Sequence, residues 1–505
     1  MAPRFVRSTL LASLLVALTP ACGEKEVRPS LDLLTTACAG TPPLAGVTHL
    51  RFRVTGPGLG ASHERVSTVA WMEEDVPALP PGRERVLEVR AYVGRPDQGG
   101  QLVSLGRSAP FDVAEGKAPE VRVFLRRLGE FVPVNLASNP GMCSPPTEVR
   151  AGHTATTLPD GRVLIAGGYR PAPNGTRPVS VTTEVFDPAD GTFSYGPDVG
   201  ARAFHTASLL PDGKVLLTGG AESFAPVALQ RMARLVDTVN ITVSELAPKV
   251  ARYQHAAAVD AQGHVLLVGG RAADGSGVFT AEAFDSDSGS FVDVAGDVHR
   301  VDTTLTVMED GRTFLVAGGA DTMGPQPDVL AVGFNGTDLG RLLNVPPRLR
   351  VPRVGAVVAL LGRPDEGPRP LLMGGFDGVD PSQGARAVGA SEVLEDVMTV
   401  SDGPALMPRS NPCAVSLPDG RVVVLGGRGT AIGTTYATPW AELITPHANA
   451  QPTVLGLPLL PNPRVWHTCS ALPDGSVLVV GGVDDSTGEI RAPLDALVVM
   501  PPPLD

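Results

Sequence analysis

The chain has 505 residues and a net charge of −12, and it is rich in glycine (58) and proline (49). This length allows two or more domains, and the glycine and proline content suits many short strands joined by turns. The acidic balance excludes broad electrostatic binding to DNA or RNA, which requires clustered Lys and Arg.

Residues 1–21 have the pattern of a signal peptide. Arg4 and Arg7 precede an apolar run that is too short to span a bilayer. The run ends in Leu-Thr-Pro-Ala-Cys, which resembles a bacterial lipobox with Thr19 where Leu is usual. We therefore expect a lipoprotein, acylated at Cys22 and held in the outer membrane or periplasm of a bacterial cell envelope, with secretion as the alternative. Residues 22–44 would be a flexible tether.

Residues 45–128 predict a small β-domain. Three segments, 50–54, 86–93 and 121–125, alternate apolar and polar side chains and are separated by turns rich in Gly and Pro. This is the pattern of half-buried antiparallel strands. We predict a β-sandwich of immunoglobulin or fibronectin-III type.

Four cysteines follow Cys22, and an even number outside the cytoplasm indicates disulfides. Cys38 and Cys143 bracket the N-terminal domain, so we favour a bridge between them. Cys413 and Cys469 lie in adjacent repeats but are offset by one position, which puts them on opposite strand faces. For these two, buried thiols are at least as compatible with the sequence as a bridge.

From residue 150 the chain repeats one unit seven times. Each unit has an Arg, a first strand, a tight turn such as Pro-Asp-Gly, an apolar second strand and a Gly-Gly pair. Third and fourth strands follow, the latter carrying Phe193 or Phe291. The repeat arginines are Arg150, Arg202, Arg252, Arg300, Arg353, Arg409 and Arg464. The Gly-Gly pairs, about 50 residues apart, are Gly167-Gly168, Gly219-Gly220, Gly269-Gly270, Gly318-Gly319, Gly374-Gly375, Gly426-Gly427 and Gly481-Gly482.

This repeat resembles the kelch family, in particular bacterial kelch-like lipoproteins. The resemblance implies an all-β fold, a seven-bladed kelch β-propeller over residues 129–505 that follows the β-sandwich. Counting strands adds a prediction about closure. After Gly482 the chain has room for one more strand, near 494–500, so the last blade is one strand short. The strand-like segment 131–136 has no blade of its own, and we predict that it completes the last one.

Two sets of recurring residues could hold a ligand. The seven arginines could bind an anion at one mouth, but a residue present in every repeat more often serves the repeat itself, and we favour that interpretation. Four repeats place a His three residues after the Arg: His153, His205, His255 and His467. They could bind a metal, but we favour hydrogen-bonding core residues.

The last repeat, with Arg464-Val465-Trp466-His467, also resembles the ligand-bearing blade of the galactose oxidase family of radical copper oxidases. That family requires Tyr where this chain has Trp466. The second, cross-linked Tyr would fall at Phe204 or Gln254, and Tyr253 is displaced by one residue. We therefore predict no catalytic residue, no metal and no cofactor.

The sequence-based hypothesis for function is a non-enzymatic binding scaffold in the cell envelope, with loops at the propeller mouths carrying specificity. Tyr436 and Trp440 are candidate exposed contacts for a protein or glycan partner. We expect a monomer with a lipid anchor in the membrane and no nucleic-acid partner. The alternative is a carbohydrate-active or oxidase-type enzyme that uses the propeller as a frame.

Overall fold

The computed structural model describes residues 26–59, 63–71, 75–172, 176–334, 339–341, 345–362, 367–431, 433–448, 450–487, 490–493 and 495–504. The signal peptide and Cys22 lie outside this range. Nearly all regular structure is β, and the helices are three short 3₁₀ turns, Val69–Trp71, Pro96–Gln98 and Pro381–Gln383. Within these residues no helix has the length and apolarity needed to cross a membrane.

The N-terminal region forms one antiparallel sheet and one short parallel pair. Its strands are β1 (Ser30–Leu34), β2 (His49–Thr55), β3 (His63–Thr68), β4 (Gly82–Val93), β5 (Gln101–Arg107), β6 (Phe111–Val113), β7 (Glu120–Phe124) and β8 (Arg126–Arg127). The sheet has the order β3-β2-β4-β5-β8, with β6 also on β4, while β1 pairs with β7. Strand β2 buries Leu50, Phe52 and Val54 on one face, which is the alternation expected from the sequence.

The predicted tether is wrong over the described residues. Strand β1 pairs in parallel with β7, so residues 30–34 belong to the N-terminal domain. Leu31 and Leu33 pack against its core, which compensates for ordering this part of the chain. Cys38 is bonded to Cys143, with Cα atoms 5.1 Å apart. The segment is therefore fixed at both ends, by a strand and by a disulfide.

Seven four-stranded antiparallel sheets follow, here called ring sheets 1 to 7. Ring sheet 1 has β10 (Thr154–Thr157), β11 (Val163–Ala166), β12 (Thr183–Asp187) and β13 (Thr192–Tyr195). Ring sheet 2 has β14 (Thr206–Leu209), β15 (Val215–Thr218), β18 (Ala233–Asp237) and β19 (Thr242–Leu246), with a hairpin of β16 (Ala221–Phe224) and β17 (Val227–Leu229). Ring sheet 3 has β20 (Ala256–Val259), β21 (Val265–Val268), β22 (Thr280–Asp285) and β23 (Ser290–Asp297).

The later sheets repeat this plan. Ring sheet 4 has β24 (Thr304–Val307), β25 (Thr313–Ala317), β28 (Leu330–Phe334) and β29 (Leu339–Arg341), with a hairpin of β26 (Ala320–Asp321) and β27 (Gly324–Pro325). Ring sheet 5 has β30 (Val357–Leu361), β31 (Arg369–Met373), β32 (Glu392–Leu394) and β33 (Val400–Asp402). Ring sheet 6 has β34 (Cys413–Ser416), β35 (Val422–Leu425), β38 (Ala441–His447) and β39 (Ala450–Gly456), with a hairpin of β36 (Arg428–Ala431) and β37 (Thr434–Ala437).

Ring sheet 7 is completed from the other end of the chain. It has β40 (Thr468–Ala471), β41 (Val477–Val480), β42 (Ala496–Val499) and β9 (Val132–Pro133). Strand β9 pairs antiparallel with β42, with Val132 opposite Val498. The prediction that segment 131–136 supplies the missing strand is thereby confirmed. The pairing removes an exposed edge from the last sheet.

The sheets stand around a common axis, since the first strand of each contacts the first strand of the next and β40 contacts β10. Their second strands are buried along their whole length, as in β11 and β41. Apolar side chains from neighbouring sheets interdigitate, for example Ile165 of sheet 1 with Val480 of sheet 7. The core is therefore a series of layers between sheets rather than one central cluster.

The Gly-Gly pairs connect each sheet to its neighbour. The N–H of Gly168 donates to the carbonyl of Arg202, and Gly482 closes the circle by donating to Arg150 at 2.7 Å. A Cβ on Gly481 would lie 2.2 Å from the Arg150 carbonyl oxygen, and the φ of Gly481 is positive. Only glycine permits this close approach of two backbones.

Cys413 and Cys469 are bonded to each other, with Cα atoms 5.9 Å apart. The position of the two cysteines on opposite strand faces therefore does not keep their thiols apart. Neighbouring ring sheets pack face to face, so a side chain on one face of β34 meets the opposite face of β40. An offset of one residue therefore brings the two thiols together.

Candidate functional site

The residue two positions after each repeat Arg has a left-handed backbone. The seven residues, called the axial ring below, and their φ angles are Gly152 (62°), Phe204 (54°), Gln254 (54°), Asp302 (52°), Gly355 (67°), Asn411 (45°) and Trp466 (58°). Non-glycine residues adopt this conformation rarely and at a cost of about 1–3 kcal/mol each. Such strain concentrates at functional sites, which directs attention to this mouth of the axis.

Backbone hydrogen bonds run from one member of the axial ring to the next. The N–H of Phe204 donates to the carbonyl of Gly152 at 2.8 Å, and Gln254 donates to Phe204 at 2.9 Å. Gly152 in turn donates to Trp466 at 2.9 Å, which joins the last sheet to the first. The left-handed conformation turns each N–H toward the preceding sheet, so the strained residues are held in place by the sheets around them.

The side chains of the axial ring form two chemically different regions. Gln254 and Asn411 are exposed, and Asp302 is half-buried with its carboxylate 2.6 Å from the guanidinium of Arg271. On the other side, the indole of Trp466 lies 5.5 Å from the ring of Phe204. The mouth thus presents polar groups along one part of its edge and aromatic groups along another.

Two further aromatic residues extend the apolar region. Tyr169 follows the first Gly-Gly pair, and its ring centroid lies 5.8 Å from that of Phe204 and 5.6 Å from that of Phe224. Burial raises the pKa of the Tyr169 phenol to about 12. Arg428 lies over the indole of Trp466 at 4.8 Å and forms an ion pair with Asp485 at 2.7 Å.

The repeat arginines are buried and make their contacts within the ring sheets. Each is nearly inaccessible, and Arg150 donates to the carbonyls of Gly167 and Thr182 within its own sheet. Its guanidinium also pairs with the buried carboxylate of Glu184 at 2.9 Å. The equivalent acids on other third strands are Glu282, Glu392 and Glu442, while Arg464 pairs with Asp495, which directly precedes β42. This acidic partner was not predicted from the sequence.

The four histidines are buried between sheets. Nε2 of His153 lies 2.8 Å from the hydroxyl of Thr468 in the preceding sheet, and His205 bonds Thr154 in the same way. Burial and the nearby Arg150 lower the pKa of His153 to about 3, so its ring is neutral. The four rings serve successive sheet interfaces and do not converge on one point. For His153, His205 and His255 these contacts agree with the interpretation as hydrogen-bonding core residues, whereas His467 makes no such contact with a hydroxyl.

Among the described residues, the one group whose ligand atoms approach within 4.8 Å of one another is His264, Asp285 and Asp287. Asp285 already accepts the N–H of Asp287 and the hydroxyl of Ser288, as in an ordinary turn. His264 is bonded to Asp260 at 2.8 Å. These contacts account for the cluster without an ion.

Tyr436 and Trp440 are half-buried rather than exposed. The guanidinium of Arg409 lies 5.6 Å from the centroid of the Trp440 ring, and the Trp440 carbonyl accepts from the same Arg. Tyr436 pairs with Gly429 across its hairpin. Both residues support ring sheet 6, so the structure gives them little surface for a partner.

No protein-family model matches the sequence, and no curated protein does. Among solved structures, the chain is similar to a fungal alcohol oxidase of the AA5 family in complex with copper. The likeness covers 74% of this chain and 76% of the oxidase, with a TM-score of 0.55 and 17% sequence identity. At this identity the comparison shows the fold, which is all-β and of the propeller type found in galactose oxidase.

This comparison corrects our expectation about function. The sequence-based hypothesis was a non-enzymatic binding scaffold, whereas a solved structure that shares the fold is an oxidase. The finding points to the alternative, an enzyme that uses the propeller as a frame. The axial ring, with its strained side chains, is the part of the described structure that could serve as its active site.

The residues present do not fit a radical copper site. Trp466 stands where the galactose oxidase family requires Tyr, and an indole does not ligate copper. A Cβ on Gly426 would lie 2.5 Å from Cε1 of His467, so that ring is wedged between sheets. The raised pKa of Tyr169 opposes the phenolate form that a ligand requires. All four cysteines of the described residues are in disulfides, which leaves no thiol there for a cross-link.

The axial ring itself was not predicted as a site. Its signal lies in composition: the position two residues after each Arg holds Gly, Phe, Gln, Asp, Gly, Asn and Trp. None is β-branched, glycine occurs twice and asparagine and aspartate once each, which is typical of a left-handed position. Aligning the repeats on the Arg would have revealed it.

Proposed function

We propose that the chain is a carbohydrate-active enzyme built on a seven-bladed kelch-type propeller, with its active site at the axial ring. The repeat period, the seven four-stranded sheets and the closing strand β9 support the kelch assignment. The similarity to an alcohol oxidase supports an enzyme rather than a scaffold. A sugar is the substrate class because hydroxyl groups and flat apolar faces match the polar and aromatic halves of the mouth.

One observation carries the proposal. Five members of the axial ring keep a side chain although glycine would relieve their left-handed strain, and backbone hydrogen bonds link positions of this ring from sheet to sheet. Strain is retained when the side chain is needed. Trp466 supplies a stacking surface, Gln254 and Asn411 supply amide donors and acceptors, and Asp302, held by Arg271, supplies an acceptor carboxylate.

An oxidase is the second candidate, and only the fold favours it. Since the copper ligands do not fit, we assign no step through copper. We further propose, from the sequence alone, that Cys22 anchors the protein in the cell envelope and that the enzyme is a monomer that acts on an envelope or extracellular glycan.

The test is a screen of the soluble chain, residues 23–505, against a glycan panel with two readouts. Release of new reducing ends reports cleavage, and peroxide formation with and without added copper reports oxidation. We expect cleavage that falls at least tenfold in Trp466→Asn, because Asn tolerates the left-handed backbone but removes the indole. Tyr195→Ala removes a 69% exposed aromatic ring from an outer strand and is the matched control. Cleavage unaffected by Trp466→Asn would refute the site, and copper-dependent peroxide would establish the oxidase instead.

A further inference from the structure

A small cleft opens beside Trp466, between the loop after the first Gly-Gly pair and the β36–β37 hairpin. Its volume is about 60 Å³, and its lining includes Tyr169, Arg177, Arg428, Trp466 and Asp485. The cleft borders the aromatic half of the axial ring and therefore belongs to the mouth that we propose as the active site. It contains two guanidinium groups and one carboxylate.

Arg428 is fixed in this cleft and its charge is compensated. One terminal nitrogen donates to Asp485 at 2.7 Å and the other donates to the hydroxyl of Thr435 at 3.0 Å. Asp485 is fixed in turn because it also accepts the N–H of Ala437. Arg428 therefore forms a rigid wall over the indole of Trp466, and its pair with Asp485 carries no net charge.

Arg177 is different. Its guanidinium lies 5.7 Å from the ring centroid of Tyr169 and 5.9 Å from that of Phe224. Its side chain is exposed, and no carboxylate pairs with it in the part of the chain that the structure describes. Among the lining residues that the structure describes, Arg177, Arg428 and Asp485 sum to one positive charge, on a chain whose net charge is −12. An unpaired Arg over an aromatic surface keeps its donor groups available.

We propose that this cleft takes the carboxylate of an acidic sugar, a uronic acid residue of the substrate. This inference rests on the proposed function and names its substrate class. The Arg177 guanidinium presents parallel N–H donors, which match the two oxygens of a carboxylate. One carboxylate balances the single positive charge, and its small size suits the cleft. The adjoining sugar ring lies beside Trp466, at the part of the indole that Arg428 does not cover.

The experiment compares an acidic sugar with its neutral counterpart. Binding of D-galacturonate and D-galactose to the soluble chain is measured by calorimetry, at low and at 0.5 M salt. We expect galacturonate to bind about tenfold more tightly or better, because only its carboxylate forms charge-assisted hydrogen bonds with the Arg177 guanidinium. Salt should weaken galacturonate binding and leave galactose binding unchanged.

Arg177→Gln should remove this preference. The matched control is Arg170→Gln, which makes the same charge change at an exposed position of the same loop but outside the cleft lining. Equal binding of the two sugars, absence of galacturonate binding, or an equal loss in both variants would each overturn the inference. Inorganic sulfate that displaces galacturonate at equal concentration would also overturn it, since the site would then bind anions in general.

These failures can be distinguished from failure of the proposed function. If both sugars bind equally and Trp466→Asn weakens both, the mouth remains the site and only the carboxylate preference is lost. If neither sugar binds, the inference fails, and the cleavage assay on the glycan panel still decides the proposed function independently.

Discussion

The indole of Trp466 meets the phenyl ring of Phe204 edge to face, with ring centroids 5.5 Å apart, although the two residues belong to the last and the second ring sheets. Gly152 of the first sheet lies between them, and a Cβ there would come within 2.9 Å of the Phe204 ring. The missing side chain lets the aromatic rings of two non-adjacent sheets touch. The contact shapes the apolar half of the mouth.

Gly152→Ala should therefore have a larger effect on the protein than the cost of placing alanine at a positive φ, because the added Cβ also displaces the Phe204 ring. Gly289→Ala is the control, because Gly289 has a similar φ of 65° and nothing within 4 Å of its added Cβ. We expect each substitution to pay the left-handed penalty of about 1–2 kcal/mol. Gly152→Ala should lose more by displacing Phe204, and it alone should weaken sugar binding. Urea unfolding and calorimetry would check both effects, and equal behaviour of the two variants would contradict this account.

Gln254→Gly should stabilise the protein. Gln254 is exposed at a φ of 54°, so glycine relieves strain at the cost of some unfolded-state entropy. We expect a gain of about 0.5–1 kcal/mol in the free energy of unfolding and weaker sugar binding. Glu222→Gly, at an exposed position in strand β16 whose φ is not positive, should destabilise by a similar amount because glycine relieves no left-handed strain there. A loss of stability in Gln254→Gly would show that the position is not strained.

Removing Arg150 should leave a buried carboxylate unpaired. Glu184 is inaccessible and bonded to Arg150 at 2.9 Å, so Arg150→Met should cost about 3–5 kcal/mol in the free energy of unfolding. The double variant Arg150→Met/Glu184→Gln should recover part of this loss, because no charge then remains buried. A double variant no more stable than the single one would mean that the backbone contacts of Arg150 dominate.

Stability should fall as the pH falls below the ordinary pKa of histidine. Burial, with a smaller contribution from Arg252, lowers the pKa of His255 to about 3, below the ordinary 6.5 of a histidine. Between these values the unfolded chain binds a proton that the folded chain does not. Each such His therefore lowers stability by about 1.4 kcal/mol per pH unit as the pH drops from 6.5 toward 3. Urea unfolding at pH 7, 6 and 5 should show a shallower decline in His255→Gln, and an unchanged slope would contradict the assignment.

The disulfide between Cys413 and Cys469 joins ring sheet 6 to ring sheet 7, the sheet that β9 completes. Its loop spans 56 residues, so replacing both cysteines by alanine should cost about 2–4 kcal/mol by increasing the entropy of the unfolded chain. Thermal unfolding of the double variant under oxidising conditions measures the loss. Under reducing conditions the native chain should approach the variant, and a persistent difference would point to packing rather than to the cross-link.

Much of the ring could be predicted because its signals are local. Each repeat contains its own turn, such as the one before Val163, its buried second strand and its Gly-Gly pair. Aligning the repeats gave the number of strands in each sheet, and that number assigned β9 to ring sheet 7. Strand β1 was missed because its partner β7 is remote and its five residues carry no turn signal. The bridge at Cys413 was misjudged because an offset of one residue separates two side chains only when their strands lie in one sheet. Cys413 and Cys469 lie in neighbouring sheets, whose facing surfaces are opposite faces of the two strands.

The sequence by itself determined the seven sheets, their closure and the structural role of the repeat arginines, because each depends on a pattern that every repeat carries in the same register. Only the tertiary structure decided where a ligand could bind. Phe204, Arg177 and Trp466 come from different repeats, and their common mouth exists because the ring brings the same end of every sheet to the axis. Packing between sheets, which no single repeat encodes, turns separate strained residues into one site.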